Sequence, residues 1–291
     1  MKTKLLLVAL LSAFGLQPSA LLHAATTIDP VNKYAYGANV GWINGTGDTA
    51  NGAVIGEYVC SGYLYSANVG WINLGSGAPV NQIQYQNNSA ADFGVNQDGF
   101  GNLRGYAWGA NIGWINFEPN GAPRVDLATG KLYGSVWSAN CGWISLSNTV
   151  AFVQTDSIRQ GALAPNGLPI AWLLQNFGTT NISAGADPTG KGMTVGQDYL
   201  AGTDPNNINS ILRITSGSFG PGGTTASLTW NSVTTRFYYL QKTSNLGANL
   251  WTDSGLGLVS PFAGSSTTAG FIDTNLPVRF YRVQAVRPLT P

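Results

Sequence analysis

Asp98 and Asp126 are the carboxylates whose placement invites a chemical reading. They sit in comparable Gly-containing turns of a duplicated stretch, and a carboxylate pair is what glycoside hydrolysis requires. The same turns give aspartate a structural task, since Asp there commonly bonds its own backbone. Glu57 and Glu118 are the only glutamates, and they stand apart. The one histidine, His23, falls in an N-terminal leader, so the chain beyond it has none. That excludes Ser-His-Asp and Cys-His mechanisms and any His-ligated zinc. No Gly-rich loop runs into a phosphate-binding Lys, despite 38 glycines. No nucleophile, base and oxyanion site come together. Cys60 and Cys141 form a disulfide stapling two halves of the chain, or remain two buried thiols; spacing alone leaves both open.

The remaining chemistry is aromatic. One phrase is written four times: YGANVGWIN (36–44), YSANVGWIN (65–73), WGANIGWIN (108–116) and WSANCGWIS (137–145). The second tryptophans, Trp42, Trp71, Trp114 and Trp143, are spaced 29, 43 and 29 residues apart. Trp42 to Trp114 and Trp71 to Trp143 are both 72 residues, as expected of a duplicated pair of units. Units this small cannot bury an apolar face alone, so the four must pack together. Two roles follow for the rings. They pack against the next unit as framework, or they form a row of platforms for sugar. The platform residues would be Tyr36, Trp42, Tyr65, Trp71, Trp108, Trp114, Trp137 and Trp143, with Asn73 and Asn116 beside them.

Each phrase has period-two alternation on both sides of a Gly/Asn-rich break, the pattern of a β-hairpin. Ile72 and Leu74, Ile115 and Phe117, and Ile144 and Leu146 make one apolar face, expected to be the core. The units lie around 34–46, 62–75, 105–118 and 134–147, within a domain over 25–153. The fold expected is mainly β: a four-unit antiparallel repeat forming a sandwich, barrel or small propeller, then a short helix-loop-helix connector, then a β-sandwich.

Lys2 and Lys4 precede an apolar run over 5–16 and small residues, which reads as a signal peptide over 1–24. The expected location is outside the cytoplasm of a bacterium: extracellular, cell surface or periplasm. No later segment approaches the roughly 20 apolar residues of a membrane span. Lys2 and Lys4 are two of the 14 basic residues, leaving 12 against 13 acidic ones. With no basic stripe, nucleic acid is not an expected partner.

After residue 153 the alternation stops. Residues 168–178 read as a short helix with Pro169 in its first turn and Gly178 at its end. Thr194 and Gln197 have capping-box spacing ahead of a second helix near 195–201. Gly167-Leu168-Pro169 and the tail Tyr199-Leu200-Ala201-Gly202-Thr203-Asp204-Pro205 bracket a segment over 154–208. It resembles the dockerin or thrombospondin-type-3 style calcium loops of secreted bacterial proteins. The resemblance implies oxygen ligands at Asp187, Thr189 and Asp198. Lys191, however, puts an ammonium at a ligand position, and Thr189 replaces an acid. The loop is therefore expected to keep its shape without calcium, with Lys191 paired to Asp187 or Asp198. The aromatic phrase is itself similar to a repeat of exported bacterial proteins.

Residues 209–291 hold short alternating runs separated by Gly, Ser, Asn or Pro, the signature of a sandwich. They resemble fibronectin-III-like C-terminal modules. Trp230, Tyr239, Trp251 and Tyr281 are its expected core. The leading functional expectation is a non-catalytic binding protein for polysaccharide or another extracellular polymer. A purely structural envelope or matrix protein comes second, and a polysaccharide-active enzyme using aspartates third.

Overall fold

The computed structural model describes residues 26–48, 50–220, 224–248, 250–273 and 280–290. The leader read over 1–24 lies outside them.

Twelve strands form the first part: β1 (Ile28–Gly37), β2 (Gly41–Asn44), β3 (Ser61–Ser66), β4 (Gly70–Ser76), β5 (Val95–Gln97), β6 (Leu103–Gly109), β7 (Gly113–Asn116), β8 (Arg124–Val125), β9 (Leu132–Tyr133), β10 (Ser135–Ser138), β11 (Gly142–Ser145) and β12 (Val153–Thr155). Each phrase is one hairpin: β1–β2, β3–β4, β6–β7 and β10–β11. Neighbouring hairpins pair in turn, and β11 returns to β1. The result is a closed eight-stranded antiparallel barrel, the choice among the three architectures that periodicity left open. Closure removes every free edge among the eight strands.

The repeated phrase explains the hairpin locally. A three-residue loop is followed by Gly41, Gly70, Gly113 or Gly142, the first residue of the returning strand, all with φ between 69° and 79°. Only glycine adopts that left-handed backbone without steric cost. The repeated asparagine has a longer reach. Asn68 Nδ2 donates to the Val40 carbonyl, Asn111 Nδ2 to Val69, Asn140 Nδ2 to Ile112 and Asn39 Nδ2 to Cys141, at 3.0–3.1 Å. Each hairpin tip thus bonds its predecessor, and the first bonds the fourth. A closed ring of amides fastens one end of the barrel.

Inside, opposed pairs Ala35–Ile43, Leu64–Ile72, Ala107–Ile115 and Val136–Ile144 fill the cross-section. Val40, Val69, Ile112 and Cys141 lie at the tip end; Leu74, Phe117 and Leu146 lie beyond the isoleucines. The apolar void left is about 40 Å³, so the barrel is a packed core rather than a ligand calyx.

Helix α1 (Ile170–Phe177) ends on Gly178 at φ 66°. Helix α2 (Val195–Ala201) starts with a complete capping box from Thr194 and Gln197. They pack through Leu168, Trp172, Leu173, Val195 and Tyr199. Six further strands, β13 (Ile214–Phe219), β14 (Thr225–Asn231), β15 (Phe237–Thr243), β16 (Thr252–Val259), β17 (Ser266–Ile272) and β18 (Phe280–Val286), make two three-stranded antiparallel sheets. Ala226, Leu228, Leu240 and Phe271 fill the space between them. Trp230 is fully buried and Tyr281 packs on this cluster, but Tyr239 and Trp251 are only partly covered. Tyr238 takes the buried position instead, because alternation along β15 places 238 and 240 inward.

The three parts meet at one polar junction. Glu57, from the barrel, accepts a hydrogen bond from the Tyr199 hydroxyl at 2.7 Å. Arg236 and Arg287, from the sandwich, each bring a guanidinium nitrogen to 3.9 Å from the same carboxylate. Arg236 also donates to the carbonyls of Tyr199 and Leu200. Past β18 the chain crosses back, and the Leu289 carbonyl accepts from Ile158 N–H at 3.0 Å.

Candidate functional site

The outer wall of the barrel carries an aromatic belt. Strand alternation that sends Ala and Ile inward sends the phrase aromatics outward. In each hairpin two of them face each other across the strands: Tyr36–Trp42, Tyr65–Trp71, Trp108–Trp114 and Trp137–Trp143. Their ring centroids lie 4.7–5.1 Å apart and their planes are inclined 56–65°. Tyr34, Tyr63 and Tyr106 extend the first three pairs by one more ring at 6.0–6.3 Å. The four second tryptophans are 44–49% exposed and their partners 38–40%. Within each hairpin the two rings are in direct contact. Each ring is more than half covered, so contact with neighbouring elements leaves a face of it open. The interior of an eight-stranded barrel is already full of aliphatic side chains, and the Asn ring and backbone ladder do the joining.

The polar residues of the belt have unequal roles. Asn73 Oδ1 accepts from the Gly75 N–H at 2.8 Å, as Asn44 does from Thr46, so both fix the strand exit. Asn116 Oδ1 is buried with no hydrogen-bond partner. It stands directly across from Tyr106 on one side and Trp137 on the other.

Asp98 accepts from the N–H groups of Phe100 and Asn102, and Asp126 from those of Ala128 and Thr129. Both carboxylates serve their own turns. Glu57 belongs to the junction. Among the described residues no group of three or more His, Cys, Asp and Glu side chains is placed to hold a metal.

Cys60 and Cys141 are both buried free thiols, which corrects the disulfide alternative. Cys60 precedes β3 at the end remote from the hairpin tips, whereas Cys141 is in a tip. The six-residue β3 therefore separates their levels in the barrel, well beyond the Cα spacing a bridge allows, at most about 7 Å. Burial pushes the Cys60 thiol up to about 12. A thiol reagent is expected to find no fast-reacting cysteine in the native protein and two after denaturation without reductant. Finding none after denaturation would reinstate the bridge.

The loop with calcium-type spacing is occupied by its own lysine. Lys191 Nζ lies 2.8 Å from Asp198 Oδ1 and donates to the carbonyls of Asp204 (2.6 Å) and Ser210 (2.9 Å). The side chains of Lys191 and Asp198 are 1% and 0% exposed. Asp187 accepts from the N–H groups of Lys191 and Gly192 and so closes the turn. Thr189 Oγ1 and Asp198 Oδ2 are buried without partners. The residues present do not fit calcium: an ammonium holds the carboxylate and the carbonyls that a cation would need.

Two features of the belt escape the phrase. Tyr34, Tyr63 and Tyr106 lie two residues before its first aromatic, and period two alone would have placed them on the same face. The second feature is a pocket over Trp114, built by residues between the second and third units, for which no local pattern exists. No known protein family matches the chain, and no curated protein or solved structure does either. Among the described residues no helix is long and apolar enough to cross a membrane.

Proposed function

We propose that this is a non-catalytic exported binding protein that holds polysaccharide on the aromatic belt of its barrel. The observation that carries the reading is the set of four cross-strand aromatic pairs, each ring at least a third exposed, encircling the outer wall. Large exposed rings on a folded surface mark binding. Flat apolar faces beside amide groups suit pyranose rings, which offer C–H faces and hydroxyl edges. Asp98 and Asp126 are committed to turns, which supports binding without hydrolysis.

Tryptophan fluorescence titrated across a glycan panel tests this. At least one polysaccharide is expected to shift or quench emission. Trp42→Ala with Trp71→Ala should weaken that binding at least tenfold, about 1.4 kcal/mol, as buried-edge aromatics do in other interfaces. Indoles that acrylamide quenches but no glycan perturbs would refute the proposal. That outcome would favour the purely structural envelope or matrix role, which the Asn73 backbone bond already suits.

A further inference from the structure

The barrel is nearly four-fold, and one hairpin departs from the rest. The interval from Trp71 to Trp114 is 43 residues where the other two are 29. The extra length folds as a loop over 77–94 that rises beside hairpin β6–β7. It brings Phe93 to Trp114 at 5.1 Å, the two rings inclined at 79°. Trp114 is the one second tryptophan, among the described residues, with a ring neighbour from outside its own hairpin. Between loop and hairpin lies a pocket of about 420 Å³ lined by Asn87, Asn88, Ser89, Phe93, Tyr106 and Trp114, with Ala90 at its edge. That is within the ~300–1,000 Å³ of small-molecule sites.

The loop is firmly held. Buried Asp92 accepts from the N–H groups of Val80 and Gln86. The Tyr85 hydroxyl donates to the Cys60 carbonyl at 3.0 Å and accepts from Gly77 N–H. Asn96 bonds both backbone polar groups of Tyr85. A Cβ on Gly94 would lie 2.2 Å from the Tyr85 ring, so loop and barrel are fitted closely here. Asn87, at φ 55°, accepts from Gly94 N–H at 2.9 Å and shapes the corner. The side chains of Asn88 and Ser89 have no hydrogen-bond partner among the described residues. The pocket thus has aromatic walls set at angles to one another, uncommitted amide and hydroxyl groups, and no charged lining residue.

We infer that this pocket is a subsite for a single neutral pyranose residue, a chain end or a branch. It rests on the belt reading and sharpens it. The open pairs of the other hairpins offer surfaces along which a polymer lies, whereas the loop-walled pocket over Trp114 selects one ring. Inclined aromatics contact a sugar on two sides, and the unpaired Asn88 amide and Ser89 hydroxyl bond its hydroxyls. An uncharged lining gives an acidic sugar nothing to pair with.

Free D-glucose, D-galactose, D-mannose and N-acetyl-D-glucosamine, with D-glucuronate as the charged control, are titrated into the protein. The indole N–H signals are followed by NMR, and Trp114→Phe identifies the Trp114 signal. One neutral sugar is expected to shift the Trp114 signal and leave those of Trp42, Trp71 and Trp143 in place. Asn88→Ala with Ser89→Ala should weaken it at least tenfold with an unchanged melting temperature. Trp42→Ala with Trp71→Ala should leave it unaffected. Polysaccharide binding with no monosaccharide response at Trp114 would overturn the pocket and keep the belt. A monosaccharide response at Trp114 without polysaccharide retention would keep the pocket and overturn the belt. Equal shifts at all four tryptophans, or a stronger response to glucuronate, would also overturn the pocket.

Discussion

Glu57→Ala is expected to destabilise the protein by about 3 kcal/mol and to split one cooperative unfolding transition into two. Glu57 faces two guanidinium groups, and both arginine side chains are less than 10% exposed. Without it, Arg236 and Arg287 become buried positive charges with no counter-charge, and Arg287 Nε already lacks a partner. Arg236 retains its backbone carbonyl acceptors, so that half of the junction loosens less. The Tyr199 hydroxyl also loses its acceptor. Burial, and then the Glu57 charge, push that hydroxyl well above the usual tyrosine range, so it stays a donor across the working pH range. The three parts of the chain touch at this point, so the damage should appear as lost coupling. Calorimetry measures the number of transitions, and limited proteolysis over 156–169, the segment between β12 and α1, reports its exposure. Glu57→Gln, which keeps an acceptor for Tyr199, should fall between wild type and Glu57→Ala. An unchanged single transition for Glu57→Ala would refute the junction's role.

Lys191→Met is expected to cost about 3–5 kcal/mol, the range for removing one partner of a buried ion pair. Asp198 would remain fully buried and charged, and the carbonyls of Asp204 and Ser210 would lose their donor. Adding Asp198→Leu should restore part of the loss, since the uncompensated charge is then gone too. Chemical denaturation of the single and double variants measures both effects. The same geometry predicts that a calcium chelator leaves the wild-type melting temperature unchanged. A large drop on chelation would show a metal sharing the cage with the lysine.

Much of this was legible locally. The four phrases carry their own turn chemistry: an Asn, a glycine at positive φ, and alternation on either side. The helix limits follow from Pro169, Gly178 and the Thr194–Gln197 box, which act within a few residues. The apolar face of Ile72, Ile115 and Ile144 could be picked out because it repeats. Lys191 was visible as a misfit at a ligand position, although Asp187 and Asp198 remained equal candidates for its partner. The pairing went to Asp198 because Asp187 is occupied by two backbone N–H groups.

What the chain could not disclose by itself was everything set by distance along it. Alternation distinguishes two faces of a ribbon, yet it is silent on whether four ribbons close, and closure depends on β1 meeting β11 about a hundred residues away. Once the ring closes, mostly aliphatic side chains with Phe117 fill its small interior, and the tryptophans are driven to the outside. The same closure sets Cys60 and Cys141 at different levels, brings Glu57 to two arginines of a remote sheet, and leaves the 77–94 loop standing over Trp114. Residue pattern settled the ribbons and their faces; the packing of those ribbons in three dimensions settled which side meets water, because volume and long-range register are not periodic quantities.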